Sequence, residues 1–85
     1  MNIEVYKASA VASVFEKMTA IEVSRINRKA KEQCVWFCFF GDKVRIQARY
    51  TRTTKVPVKA LRSSGYMLAW IDEKIDSASK SYNHE

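Results

Sequence analysis

The sequence predicts a single small α+β domain with an N-terminal helix, a two- or three-stranded antiparallel sheet and a C-terminal helix, ordered α-β-β-β-α or α-β-β-α. Three observations carry that expectation. An apolar stripe at helical spacing runs through residues 55–79, an apolar run meets an alternating one at Gly41-Asp42, and only two glycines and one proline interrupt the 85 residues. Hydrophobic residues make up 47% of the chain and aromatic ones 12%, a composition that builds a core and excludes wholesale disorder. At this length there is room for one core, so residues 1–85 read as one domain with a frayed tail over 80–85.

Residues 3–18 place Ala8, Val11, Ala12, Phe15 and Met18 at the i, i+3, i+4, i+7 spacing of one helix face. Lys7, Ser9, Ser13 and Glu16 fall on the opposite side, suited to water. This is the expected first helix.

Residues 19–33 fit two elements. Thr19 with Glu22 three residues on is the pattern of a capping box, which would start a helix running to about Glu32. Ile21 and Val23, however, alternate with Glu22 and Ser24, and β-branched residues favour a strand over residues 20–27. The strand is the preferred reading; the alternatives are the capped second helix and a continuation of the first.

The run CVWFCFF, the pair Gly41-Asp42 and the run KVRIQARYTRT read as a β-hairpin, with glycine where a type II′ turn wants it. Val44, Ile46, Ala48 and Tyr50 alternate with Arg45, Gln47, Arg49 and Thr51, so one side of the second strand packs and the other meets solvent or a ligand. Its partner is apolar on both sides, which calls for cover on both. Within such a strand Cys34 and Cys38 stand about 13 Å apart, too far for a disulfide and expected as free core thiols.

The last helix is expected over residues 55–79, with Thr54 as its cap, Pro57 in its first turn and a stripe of Leu61, Gly65, Leu68, Ile71, Ile75, Ala78 and Tyr82, widened by Tyr66, Met67 and Trp70. Gly65 falls mid-helix, at a cost of about 1 kcal/mol against Ala, which suggests a close approach to the sheet or a small residue opposite Trp36 or Phe39.

The chain offers little for catalysis. Its one histidine, His84, is next to last; two cysteines and that histidine lack the paired spacing of a zinc site; and glycines 24 positions apart make no phosphate-cradling loop. Asp72 and Asp76 are i, i+4 neighbours, too few oxygens for a hard cation and read as a solvated helix side. No enzyme activity, cofactor, metal or small-molecule substrate is expected. Nor is a membrane span or signal peptide, so the expected location is cytoplasmic.

Charge is the stronger signal. The net charge is +6, yet residues 34–62 hold seven basic residues and one acidic, while residues 63–85 hold two basic and four acidic. Arg45 and Arg49 are expected on one side of a strand, Arg52 near its end, and Lys55 and Lys59 at a helix N-terminus, where unpaired N–H groups favour phosphate. Arg25, Arg28, Lys29 and Lys31 extend the set, and Gln47, Thr51, Thr53 and Thr54 add hydrogen-bonding groups.

The order α-β-β-β-α resembles that of double-stranded-RNA-binding domains, although KVPVK (Lys55, Val56, Pro57, Val58, Lys59) stands in place of their lysine-rich signature. The layout is also similar to that of small phage and mobile-element inhibitors of the anti-CRISPR or anti-restriction type. The leading expectation is thus a non-enzymatic module that binds nucleic acid or a nucleic-acid-handling protein complex through Arg45, Arg49, Arg52, Lys55, Lys59, Arg28 and Lys29. The other is a homodimer or protein inhibitor that docks through Trp36, Phe40, Tyr66 and Trp70.

Overall fold

The computed structural model describes the backbone of residues 2–83 and the side chains of residues 2–79. Eight elements follow in order: β1 (Ile3–Val5), α1 (Ala12–Glu16), α2 (Ala20–Glu32), β2 (Trp36–Phe40), β3 (Lys43–Gln47), β4 (Thr51–Lys55), α3 (Val58–Arg62) and α4 (Ser64–Asn83). The class is α+β, as expected. The sheet, however, has four strands in the order β1-β2-β3-β4, with β1 parallel to β2 and the other pairs antiparallel. The element order therefore departs from α-β-β-β-α. Of the expected tail, α4 takes in residues up to Asn83; His84 and Glu85, and the side chain of Tyr82, lie outside the described residues.

The chain begins as a strand where a helix was expected. Ile3 and Val5 flank Glu4 and pair with Phe37 and Phe39, an alternation that β-branched residues suit. The chain then turns: Ser9 N–H donates to the Tyr6 carbonyl at 2.9 Å and Ala10 N–H to that of Gly41 at 2.7 Å. Only five residues of the helical spacing become α1, which buries Val14, with Val11 and Met18 buried on either side. A parallel pair needs a long crossover, and residues 6–35 supply it through α1 and α2.

Residues 20–27 are helical, which overturns the preferred strand. Both capping-box bonds form: Glu22 N–H donates to Thr19 Oγ1 at 3.1 Å, and Thr19 N–H to Glu22 Oε1 at 2.9 Å. The helix turns Val23, Ile26 and Ala30 toward the core and leaves Ile21 70% exposed. Half of the apparent β alternation was thus a solvent-facing isoleucine. Asn27, on the same helix, accepts the Ile3 N–H at 3.0 Å and so satisfies a donor on the outer edge of β1.

The β2–β3 hairpin matches the expectation. Phe40 pairs with Lys43 around Gly41-Asp42, and Gly41 alone of the two turn residues has positive φ, at 58°, the pattern of a II′ turn. The second run does not continue as one strand. It bends at residues 48–50 and returns as β4, whose Thr53 pairs with Arg45 and Thr51 with Gln47. Ala48-Arg49-Tyr50 holds no turn residue, so the unbroken alternation concealed the bend.

The expected 25-residue helix is divided as well. Residues up to Lys55 belong to β4, so Thr54 pairs with Val44 and caps no helix. The break between α3 and α4 falls at Ser63, which is extended (φ −140°, ψ 120°). Its Oγ accepts the Tyr66 N–H at 3.2 Å, an N-cap for α4. Gly65 therefore sits in the first turn of α4, exposed, rather than mid-helix against the sheet.

All the helices lie on one side of the sheet. Ile3, Phe37, Phe39, Val44 and Ile46 supply the sheet side of the core; Ile26, Ala30, Ala60, Met67, Trp70, Ile71, Ile75 and Ala78 supply the helical side. Lys29 of α2 fastens the helical layer at its surface by pairing with Asp72 and Asp76 of α4.

Candidate functional site

A sheet with helices on one side leaves the other open, and register fixes what it displays. Because side chains alternate along a strand, the burial of Phe37 and Phe39 turns Trp36, Cys38 and Phe40 of β2 outward. Opposite them on β3 stand Gln47, Arg45 and Lys43, and beyond these on β4 stand Thr51, Thr53 and Lys55. Glu4 of β1 pairs with Cys38, and Tyr6 follows two residues on. The open side thus has an aromatic column on β1 and β2 beside a cationic and hydroxyl column on β3 and β4.

The middle of this surface is built from three side chains. The Cys38 thiol donates to Tyr6 Oη at 3.7 Å and receives Arg45 Nη2 at 4.0 Å. Tyr6 and Arg45 so cover the thiol that Cys38 is only 4% exposed although no helix lies above it. The close approach of Cys38, and then the Glu4 carboxylate, raise the Tyr6 hydroxyl above its ordinary value of 10.0, with Arg45 acting the other way. Tyr6 therefore stays a neutral phenol at pH 7 and adds no anion.

Around this centre the aromatic rings are accessible: Tyr6 is 53% exposed, Trp36 36% and Phe40 38%. Among the described residues no ion pair joins Lys43 or Arg45, whereas Lys55 Nζ lies 3.7 Å from Asp42 Oδ2. The surface offers π faces, cations and the amide and hydroxyls of Gln47, Thr51 and Thr53. Among the described residues no group of three or more His, Cys, Asp or Glu could hold a metal ion, and no helix is long and apolar enough to cross a membrane.

The structure brings together only part of the expected basic set. Arg45 and Lys55 are on the open side. Arg49 is not on a strand beside Arg45 but in the bend, with its guanidinium 5.5 Å from the Tyr50 ring centroid. Arg52 pairs with Ile46 and so points to the helical side, where it lines a hollow of about 100 Å³ with Ala78. Lys59 is exposed on α3, a helix of five residues that starts at Val58 rather than at Lys55. Arg28 is exposed on α2, in the layer opposite the open surface. Lys29 is held by Asp72 and Asp76, whose hydrogen bonds, Asp72 first, raise its pKa above 10.5.

The apolar candidates divide likewise. Trp36 and Phe40 share the open side, Tyr66 is exposed in the first turn of α4, and Trp70 is a core residue at 9% exposure. Cys38 and Cys34 are both free, but only Cys38 is buried. Cys34 lies in the turn that ends α2, not in β2. Sequence reasoning missed Tyr6 and Lys43; the alternation of Ile3-Glu4-Val5-Tyr6 was the available signal for the first. Comparison with protein-family models, curated proteins and solved structures finds no significant match.

Proposed function

We propose that the domain is a non-enzymatic, cytosolic binding module that engages nucleic acid through the open side of its sheet. One observation carries this reading: an uncovered sheet surface sets three accessible aromatic rings beside Lys43, Arg45 and Lys55. Cations supply affinity for phosphate, and hydroxyl and amide groups bind backbone oxygens. The proposal rests on the strand surface and leaves out the N-terminus of α3, a helix of only five residues.

A protein partner is the second reading, favoured by the same rings, since aromatic anchors are frequent at interface centres. It includes a nucleic-acid-handling complex and the target of a mobile-element inhibitor. A face-to-face homodimer is a form of the same reading.

The test is salt-dependent titration of the protein with nucleic acid, with Lys43→Glu/Arg45→Glu as the comparison. Three phosphate contacts predict a slope of log K on log salt of about −2 to −3. The double variant, altered only at exposed positions, should keep the wild-type melting temperature and lose binding. Undiminished affinity in a folded double variant would overturn the assignment; capture of a partner that survives nuclease treatment and high salt would favour a protein target.

A further inference from the structure

We infer that the ligand of the open surface is single-stranded nucleic acid, its bases stacked on Trp36, Phe40 and Tyr6 and its phosphates along Lys43, Arg45 and Lys55. This rests on the reading above and narrows it. Register is the first ground. Trp36 lies opposite Gln47, Cys38 opposite Arg45, and Phe40 opposite Lys43, so each aromatic position on β2 has a polar or cationic neighbour across a gap of about 4.8 Å. Trp36 and Phe40 stand about 13 Å apart along the strand, room for separate bases. Tyr6 lies toward the Phe40 end, since Val5 pairs with Phe39. A strand laid along β2 and β3 would present its bases to one column and its backbone to the other.

Width is the second ground. Four strands span about 14 Å between their outer backbones, and the major groove of B-DNA is about 12 Å wide, suited to a helix or a two-stranded ribbon. The sheet surface therefore does not fit into a groove. A duplex also hides the π faces of its bases, and three accessible rings would have nothing to stack on. Unpaired bases offer those faces, and such stacking tolerates any base.

Charge is the third. Two half-exposed carboxylates lie near this surface, Asp42 in the turn, 3.7 Å from Lys55, and Glu4 on β1 beside the rings, and among the described residues neither pairs with Lys43 or Arg45. The polyanion is thus directed to one flank, and the apolar rings are left for the part of the ligand that carries no charge.

The experiment measures binding of the full chain to labelled 12-nucleotide dT and rU strands, a 12-base-pair duplex and a heparin fragment of matched charge. At least one single strand should bind ten or more times tighter than the duplex or heparin, and the dT and rU arms tell which sugar is preferred. Trp36→Leu and Phe40→Leu should each weaken that complex about five- to hundredfold, with heparin binding unchanged, whereas Phe40→Tyr, which keeps a ring, retains it. Equal affinity for duplex or heparin overturns this inference and leaves phosphate binding standing, as does full affinity in both leucine variants. Binding to none of the four probes overturns both readings. The comparison of probes on the unaltered chain stands even if a variant fails to fold.

Discussion

The backbone N–H of Val35 reaches the carbonyl of Ala30 at 2.9 Å, and that bond bends the end of α2 around Cys34. With the Cys34 N–H on the Lys31 carbonyl at 3.1 Å, it completes a Schellman motif in which Cys34 takes φ 58° and the buried Val35 and Ala30 form the accompanying apolar contact. Glycine is the usual residue there, because a Cβ in the left-handed region costs about 1–2 kcal/mol. The turn has to close at that point, since Val35 leads directly into β2.

Cys34→Gly should therefore stabilise the fold. Removing the strain is offset in part by the greater freedom glycine has when unfolded, which leaves a gain of about 0.5–1 kcal/mol. The thiol is free and exposed, so little packing is lost. Denaturant unfolding reads the difference as a higher midpoint at unchanged slope; a lower midpoint would mean that the thiol contributes an interaction the geometry does not contain.

Lys29 is a stability element, and its variants separate that role from ligand binding. Its ammonium lies between Asp72 and Asp76, neighbours one turn apart on α4. Lys29→Met keeps the aliphatic stem but leaves two like charges at i, i+4, and should cost about 1 kcal/mol at pH 7. The folded state raises the pKa of Lys29 above 10.5, so it binds that proton more tightly than the unfolded chain does. The contribution is accordingly full below about pH 10 and is lost as pH rises through the folded value. Urea titrations of both proteins at pH 7 and above pH 11 should converge at the higher pH, and nucleic-acid affinity at pH 7 should be unaltered. A constant gap across that range would assign the effect to packing.

Which parts of this molecule were legible in its sequence depends on where the deciding interactions lie. The hairpin at Gly41-Asp42 and the apolar stripe of α4 are specified locally, and both were found. β1 was not, because three residues make a strand only when Phe37 and Phe39, more than thirty positions away, pair with them. The bend at residues 48–50 has no turn residue, so only the pairing of β4 with β3 reveals it. The same long-range logic governs the site. Arg45 was identified and Cys38 faces it across the local hairpin, but Tyr6 joins them only after β1 docks on β2, whereas Lys29, which reads as one more surface cation, is claimed by α4. Thr19 is the opposite case: the local capping pattern was correct, and the alternation of Ile21 and Val23 obscured it.

The two glycines give opposite predictions from one physical rule. Gly65 is helical, and a Cβ added to it would meet nothing nearer than Ser63 Oγ at 3.8 Å, an ordinary contact. Gly65→Ala should then stabilise by up to about 1 kcal/mol, the upper bound being the helix-interior difference, since Gly65 lies in the first turn. A Cβ at Gly41 would meet nothing within 4 Å either, yet the backbone there sits at φ 58°. Gly41→Ala has no clash to relieve and still pays the left-handed penalty of about 1–2 kcal/mol, with the β2–β3 register dependent on the turn. Because space is available at both sites, backbone conformation alone sets the two signs. Equilibrium unfolding of the pair should therefore move the midpoint up for Gly65→Ala and down for Gly41→Ala; an upward shift for Gly41→Ala would show that the turn does not hold Gly41 in the left-handed region, and a downward one for Gly65→Ala that the first turn of α4 does not favour alanine.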